Sequence, residues 1–231
     1  MRYFQRLALY PAIQEQLRGK TSTAFILSKR QRKEIVKQLM ASQKSLCCYC
    51  ECRILVKAPD TGNLGYHIDH FEEQHETPTR IFDYSNMLLS CESNTVSATQ
   101  SEAEIKTSAS CGHQKTKDRH HGIEIDYILL LNPTDNVSPL FSYLDGVVEP
   151  SRICTLQQKQ QVEYTIKRLN LDTARLENAR IGEIDVIQKQ LIGLTDEEQE
   201  IFIRSLLDET QTILNPYFST IKDNFGFLLL S

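Results

Sequence analysis

The spacing of apolar residues divides the chain into helical ends and a middle that follows no helical period. Near the start, Ile13 and Leu17 mark a short amphipathic piece after Pro11. Ser28 and Gln31 form a capping box, and Ile35, Val36, Leu39 and Met40 follow at helical spacing, which predicts a helix over about 28–43. Toward the other end three helices are predicted. The first carries Val162, Ile166 and Leu169. The second starts near Asp172 and carries Leu176, Ile184, Ile187 and Leu191. The third opens on the Thr195/Glu198 capping box and runs through Phe202, Leu206, Ile213 and Leu214 to Pro216. The tail, FGFLLLS, is apolar enough to need burial in its own core or against a partner.

The middle reads differently. Tyr66–Phe71 is short and strand-like, residues 72–83 are a polar loop, and Asn86–Ser90 has the look of the start of a buried helix leading to Cys91. From Glu92 to Ser110 the chain is rich in Ser, Thr, Glu and Ala without apolar period, the signature of an exposed insertion. Ile123, Ile125 and Tyr127 alternate and lead into the apolar run Ile128–Leu131. Phe141–Leu144 and Val147–Val148 flank Asp145-Gly146, a two-residue hairpin signal.

Composition changes this picture in two ways. A chain of 231 residues with 40% apolar and 24% charged residues is an ordinary globular one, neither fibrous nor disordered. No uninterrupted apolar stretch is long enough for a membrane span, and the start lacks the features of a signal peptide, so a cytoplasmic protein with reduced thiols is expected. The net charge of −4 hides an asymmetry. Lys29, Arg30, Arg32, Lys33, Lys37 and Lys44 face Glu34 alone, whereas Glu183 to Glu209 holds eight acidic residues against Lys189 and Arg204. Phosphate is expected at the front half and a protein partner at the back.

The candidate chemistry lies between Cys47 and Lys117, which hold six of the seven cysteines and four of the six histidines. Cys47 and Cys50 have the x2 spacing by which one turn aims two sulfurs at a tetrahedral ion, and Cys91 and Cys111 would close the shell. Such a four-thiolate zinc site is structural, because it has no open position for water or substrate. Cys48, Cys52 and Cys154 are read as spectators. Asp69 and His113 would hold a second cation, Mg2+ or Mn2+, leaving positions for water and phosphate oxygens. His70 titrates near neutral pH and could deprotonate a water, with Asn86 aiming it through the backbone nearby. Lys115, Lys117 and Arg119 are candidates for flanking phosphates, and His67, His75, His120 and His121 are read as structural hydrogen-bonding residues.

The set HIDHF, Asn86 and CGHQK, with cysteines beside it, resembles the HNH, or ββα-metal, endonuclease motif. The resemblance implies Asp69 and His113 as metal ligands, His70 as general base and Asn86 as the residue that orients it. The blocks CCYCE, YSNMLLSC, LLLNP and TIKRLNLD extend it, over roughly 47–180, to the PtuB nuclease subunits of Septu-type anti-phage defence, which also accompany some retrons. The expected fold is therefore α+β. It comprises an N-terminal helical segment (1–46), a zinc-stapled ββα core with a hairpin (47–150) and a helical C-terminal region (151–231) for docking. The expected activity is metal-dependent hydrolysis of nucleic-acid phosphodiesters, alongside an ABC or SMC-like ATPase subunit, PtuA. Two other readings stay open. One is a zinc-knotted binding module whose HNH residues do not cut, and the other is the same enzyme acting on tRNA instead of DNA.

Overall fold

The computed structural model describes residues 1–20, 25–54, 65–92 and 109–229. Most of the expected insertion after Cys91, and residues 55–64, lie outside the described residues. Among the described residues the fold is mixed α+β, with seven α-helices and two small two-stranded antiparallel sheets.

The helical ends follow the sequence closely. Helix α1 is Pro11–Arg18, burying Ile13 and Leu17, and α2 is Lys29–Ser42, with both halves of the Ser28/Gln31 capping box formed. Helix α3 is Cys111–His120. Helix α4 is Leu156–Leu169, and α5 is Ala174–Leu191, capped by the Thr173 side chain and not by Asp172. Helix α6 is Asp196–Leu206 on its Thr195/Glu198 capping box, and α7 is Phe218–Phe225. The third C-terminal helix is thus shorter than the apolar spacing suggests. Asp208 accepts from the Thr210 amide, and the Asn215 side chain donates to the Leu206 carbonyl, so Ile213 and Leu214 lie in an irregular segment. Local side-chain competition for backbone groups ends the helix there.

Strand β1, Tyr66–His70, pairs antiparallel with β2, Met87–Cys91, in the register His67↔Ser90 and Asp69↔Leu88. The start of a buried helix expected at Asn86–Ser90 is instead this strand. All five residues of β2 are buried, and a short, largely apolar run reads alike as helix or strand until a pairing edge is available. The alternation at Ile123–Tyr127 likewise forms no strand. Its amides find other partners: Ile123 N–H donates to the Asp118 carbonyl and Asp126 N–H to the Tyr164 hydroxyl of α4, and farther on Leu131 N–H donates to Thr165 Oγ1.

The Asp145-Gly146 hairpin exists in a wider form. Strands β3, Phe141–Ser142, and β4, Glu149–Pro150, pair as Phe141↔Pro150 and Ser142↔Glu149 around a six-residue loop. Asp145 and Gly146 have φ of 52° and 81°. The loop is held by other elements: Asp223 and Asn224 of α7 accept from the Tyr143 and Asp145 amides, and Arg180 donates to the Gly146 carbonyl. A Cβ at Gly146 would come within 2.7 Å of Ile181, so this close approach as well as the positive φ requires glycine.

One hydrophobic cluster joins Ile13, Leu39, the sulfur-bearing segment, β2 and, past residue 150, Val162, Leu169 and Leu176. The core thus runs across the expected 150/151 boundary. A smaller cluster unites Ile184, Ile187, Ile203, Ile221 and Phe225, with Leu228 and Leu229 packed against it, while Phe227 of the apolar tail is exposed. No helix of the described residues is long and apolar enough to cross a membrane.

Candidate metal centre

The CCYC turn brings two sulfurs together, β2 ends on the third, and α3 begins on the fourth. Cys47, Cys50, Cys91 and Cys111 are all buried, with their sulfurs within 4.8 Å of one another. Cys50 Sγ and Cys91 Sγ are 3.7 Å apart. Zn–S bonds of about 2.3 Å in a tetrahedron put sulfurs about 3.8 Å apart, so the four could hold a zinc ion. The Cys91 amide also donates to Cys47 Sγ at 3.4 Å, a bond that favours thiolate. Hydrogen bonding, first from the Cys111 thiol, takes Cys50 down to about 5. Arg175 of α5 donates to Ser110 Oγ, and the nearby Cys50, Cys91 and Cys111 sulfurs favour its charged form against the cost of burial. The residue after the turn, Glu51, accepts from the Ser219 amide and hydroxyl and so anchors α7.

Cys111 and His113 flank Gly112, and that residue touches the second group. Residues 67 and 69 project from the same face of β1, and α3 starts over that face. The Gly112 amide donates to Ser90 Oγ, across the sheet from His67. A Cβ at Gly112 would lie 2.6 Å from His67 Nε2 and 2.9 Å from Asp69 Oδ1. The His113 ring meets the His67 ring with centroids 4.4 Å apart. Burial, then the neighbouring His67, lower His113 to about 4, which leaves it a neutral imidazole at neutral pH, the form that binds metal. Asp69 is buried, and its Oδ2 accepts from the Tyr49 hydroxyl at 2.6 Å and pairs with Lys115 Nζ at 2.7 Å. Burial is the largest single influence on Asp69 and opposes its ionisation, but Lys115, His67 and the Tyr49 hydroxyl together outweigh it and keep the carboxylate below its ordinary value.

Asp69 and His67 thus flank Gly112 and His113 lies against His67, although the donor atoms of the three are not all within 4.8 Å of one another, while His70, the next residue along, turns its ring the other way. His70 Nε2 is 2.9 Å from the Ile81 carbonyl, its Nδ1 is 3.1 Å from the Gln74 amide nitrogen, and Phe25 packs edge-on at 4.5 Å. The carbonyl partner assigns the proton to Nε2 and the lone pair to Nδ1. Burial lowers the pKa of His70. Asn86 Oδ1 accepts from the Glu72 amide at 2.8 Å and its Nδ2 donates to the Glu72 carbonyl at 2.9 Å, fixing the backbone two residues past His70.

Lys115 corrects the expectation of a phosphate-binding row. It is fully buried, and besides Asp69 it donates to the His70 and Phe71 carbonyls, so it has no face to offer a phosphate. Lys117 is half-buried and Arg119 is exposed on the same helix. Reasoning from sequence missed Tyr49, Lys115 and Gly112 as the surroundings of Asp69. His67 had a legible signal: two places before Asp69 in a strand, it had to share Asp69's face. On the turn after β1, Glu73, His75 and Glu76 also cluster. There the two His75 nitrogens face different carboxylates at 3.6 and 3.8 Å, an arrangement that ion pairing accounts for.

No family model matches the chain, and no curated protein matches it in sequence.

Proposed function

We propose that the chain is a metal-dependent HNH-type endonuclease that hydrolyses nucleic-acid phosphodiesters. One arrangement supports this reading above all. A helix beginning on a sulfur ligand crosses an antiparallel strand pair and sets His113 beside Asp69, with Asn86 clasping the loop after His70. Asp69 and His113 are the proposed ligands of a divalent cation, which when bound offsets charge on the scissile phosphate and the departing oxygen. His70 takes a proton from water at Nδ1 once the Gln74 amide swings off that nitrogen, while its Nε2–H stays on the Ile81 carbonyl and holds the ring in place. The hydroxide forms a bond to phosphorus, the P–O3′ bond breaks, the 3′ oxygen takes a proton from a second water, and His70 returns its proton to solvent, leaving a 5′ phosphate. The four cysteines hold a structural zinc that fixes Cys91 and Cys111, and so β2 and α3, in relation to each other.

Cleavage of plasmid DNA and of tRNA with Mg2+ or Mn2+ tests this, since backbone contacts alone do not choose between the two. His70→Ala should abolish cleavage with zinc content and circular dichroism unchanged; retained cleavage refutes the role. The ion pair of Lys115 with Asp69 favours a second reading, a zinc-knotted binding module that does not cut. That reading predicts nucleic-acid binding with no cleavage under any divalent cation.

The wider resemblance extends the proposal to an effector of anti-phage defence that docks on an ABC or SMC-like ATPase, PtuA, through its C-terminal helices. Ile192 and Ile201 are 79% and 62% exposed there, among acidic residues. Copurification with the ATPase should fail for Ile192→Asp/Ile201→Asp; undiminished copurification would reject this surface.

A further inference from the structure

The basic face of α2 is the charged surface that the proposed hydrolysis leaves unused. Lys29, Arg30, Lys33 and Lys37 are all exposed. Their spacing sets them in one stripe along the helix, opposite the face that buries Ile35 and Leu39. None of the four forms an ion pair or a side-chain hydrogen bond with another described residue. Lys37 alone has a ring contact, its Nζ lying 5.9 Å from the centroid of half-exposed Tyr10. Glu34 is the one acidic residue of α2, and its Oε2 is buried. Like charges four residues apart, as at 29, 33 and 37, destabilise a helix, and a polyanion laid along them relieves that repulsion.

Both ends of the stripe are placed relative to the sheet. His67 and Asp69 project from the face of β1 that α3 covers, and His70 projects from the other. Phe25 packs edge-on against the His70 ring at 4.5 Å and lies 5.8 Å from Phe82, whose ring has Lys20 Nζ at 4.9 Å. From Phe25 to Ser28, the cap of α2, is three residues, a reach of at most about 11 Å. At the other end the Gln43 side chain bonds both backbone groups of Leu89. Helix α2 thus begins near His70 and ends at Leu89, two residues along β2 from the partner of His70.

We propose that this stripe is the track for the sugar-phosphate backbone of the nucleic acid that His70 cuts. The inference rests on the proposed function for His70 as the cutting residue. Lys29 to Lys37 spans about 12 Å at 1.5 Å per residue, the rise of three or four phosphates along one strand of a duplex at about 3.4 Å each. Neutralising those phosphates releases their counterions, so binding falls steeply with salt and reads no sequence.

Fluorescence anisotropy of labelled duplex DNA and labelled tRNA tests this, using the zinc-loaded full chain without added divalent cation, between about 50 and 200 mM salt. The parent should bind at least one of the two. Arg30→Gln/Lys33→Gln/Lys37→Gln should bind it at least tenfold more weakly at the lowest salt. The slope of log affinity against log salt should become shallower by about 2–3. Lys159→Gln/Lys167→Gln/Lys189→Gln removes the same charge from exposed positions of α4 and α5 and should keep the parent's slope. Arg30→Lys/Lys33→Arg/Lys37→Arg retains the charges and should bind as the parent does, which separates lost charge from a damaged helix. The inference is overturned if the α2 glutamine variant keeps the parent's affinity and slope, or if the α4 and α5 variant loses as much. It is also overturned if the parent binds neither nucleic acid, even where it binds phosphatidylserine vesicles. Cleavage is read separately, with Mg2+ or Mn2+: a parent that binds as expected but cuts nothing supports the track and refutes the hydrolase.

Discussion

Replacing Gly112 by alanine would probe the contact between the sulfur cluster and the Asp69 group most directly. Its φ lies outside the left-handed region, so alanine costs nothing in backbone strain and the outcome depends on space alone. The new methyl would sit 2.6 Å from His67 Nε2 and 2.9 Å from Asp69 Oδ1, against about 3.4 Å where ordinary contact begins. Relief needs about 0.8 Å of movement at the imidazole (3.4 − 2.6) and about 0.5 Å at the carboxylate (3.4 − 2.9). Asp69 is held by Tyr49 and Lys115, and the helix backbone by Cys111 next door, so most of the movement falls on His67. Overpacking of this size costs roughly 1–3 kcal/mol, and helix propensity returns up to about 1 kcal/mol. The expected net loss is about 1–2 kcal/mol. Gly182 of α5 is the control: nothing lies within 4 Å of its would-be Cβ, so Gly182→Ala should stabilise by about 0.5–1 kcal/mol. Urea denaturation at fixed zinc concentration measures both, and Mn2+ titration of Gly112→Ala should show weakened binding. If Gly112→Ala matched Gly182→Ala in stability and bound Mn2+ normally, the close approach of α3 to His67 and Asp69 would be refuted.

Zinc removal gives a larger effect. Cys91→Ser should lose the metal and, since a structural zinc contributes about 10–16 kcal/mol in small modules, abolish cooperative thermal unfolding. Cys154→Ser, whose thiol donates to the Leu140 carbonyl and lies outside the four-sulfur group, should retain one zinc by elemental analysis. Lys115→Met removes one partner of a fully buried ion pair and should cost about 3–5 kcal/mol in urea denaturation; a loss below about 1 kcal/mol would mean Asp69 does not depend on it. The pKa of His70 is lowered by burial, so the folded state favours the neutral ring. The stability it contributes is present above the ordinary value of 6.5 and drains away as pH falls through the lower folded value. Relative to His70→Gln, which cannot titrate, the parent should lose stability on acidification below pH 6.5; parallel curves would contradict this.

Sequence alone determined the helical ends and the Cys47/Cys50 pair. Capping boxes at Ser28 and Thr195 and apolar spacing from Val162 to Leu191 are local signals, read within one or two turns, and the structure keeps them. The Cys47/Cys50 spacing is local too, while the choice of Cys91 and Cys111 over the adjacent Cys48 and Cys52 rests on which sulfurs the fold brings within 4.8 Å of one another. What only tertiary structure decided was the pairing of elements. Met87–Cys91 became a strand because β1 offered an edge, and Ile123–Tyr127 did not, its Ile123 amide going to the Asp118 carbonyl and its Asp126 amide to the Tyr164 hydroxyl of α4. Lys115 looked like surface beside Lys117 and Arg119, yet one helical position turned it onto Asp69 and two backbone carbonyls. His67 looked incidental until the first turn of α3 closed over its face of β1. Local pattern fixes which way a backbone folds; which side chains then share a pocket depends on distant segments meeting, and no single stretch of sequence encodes that.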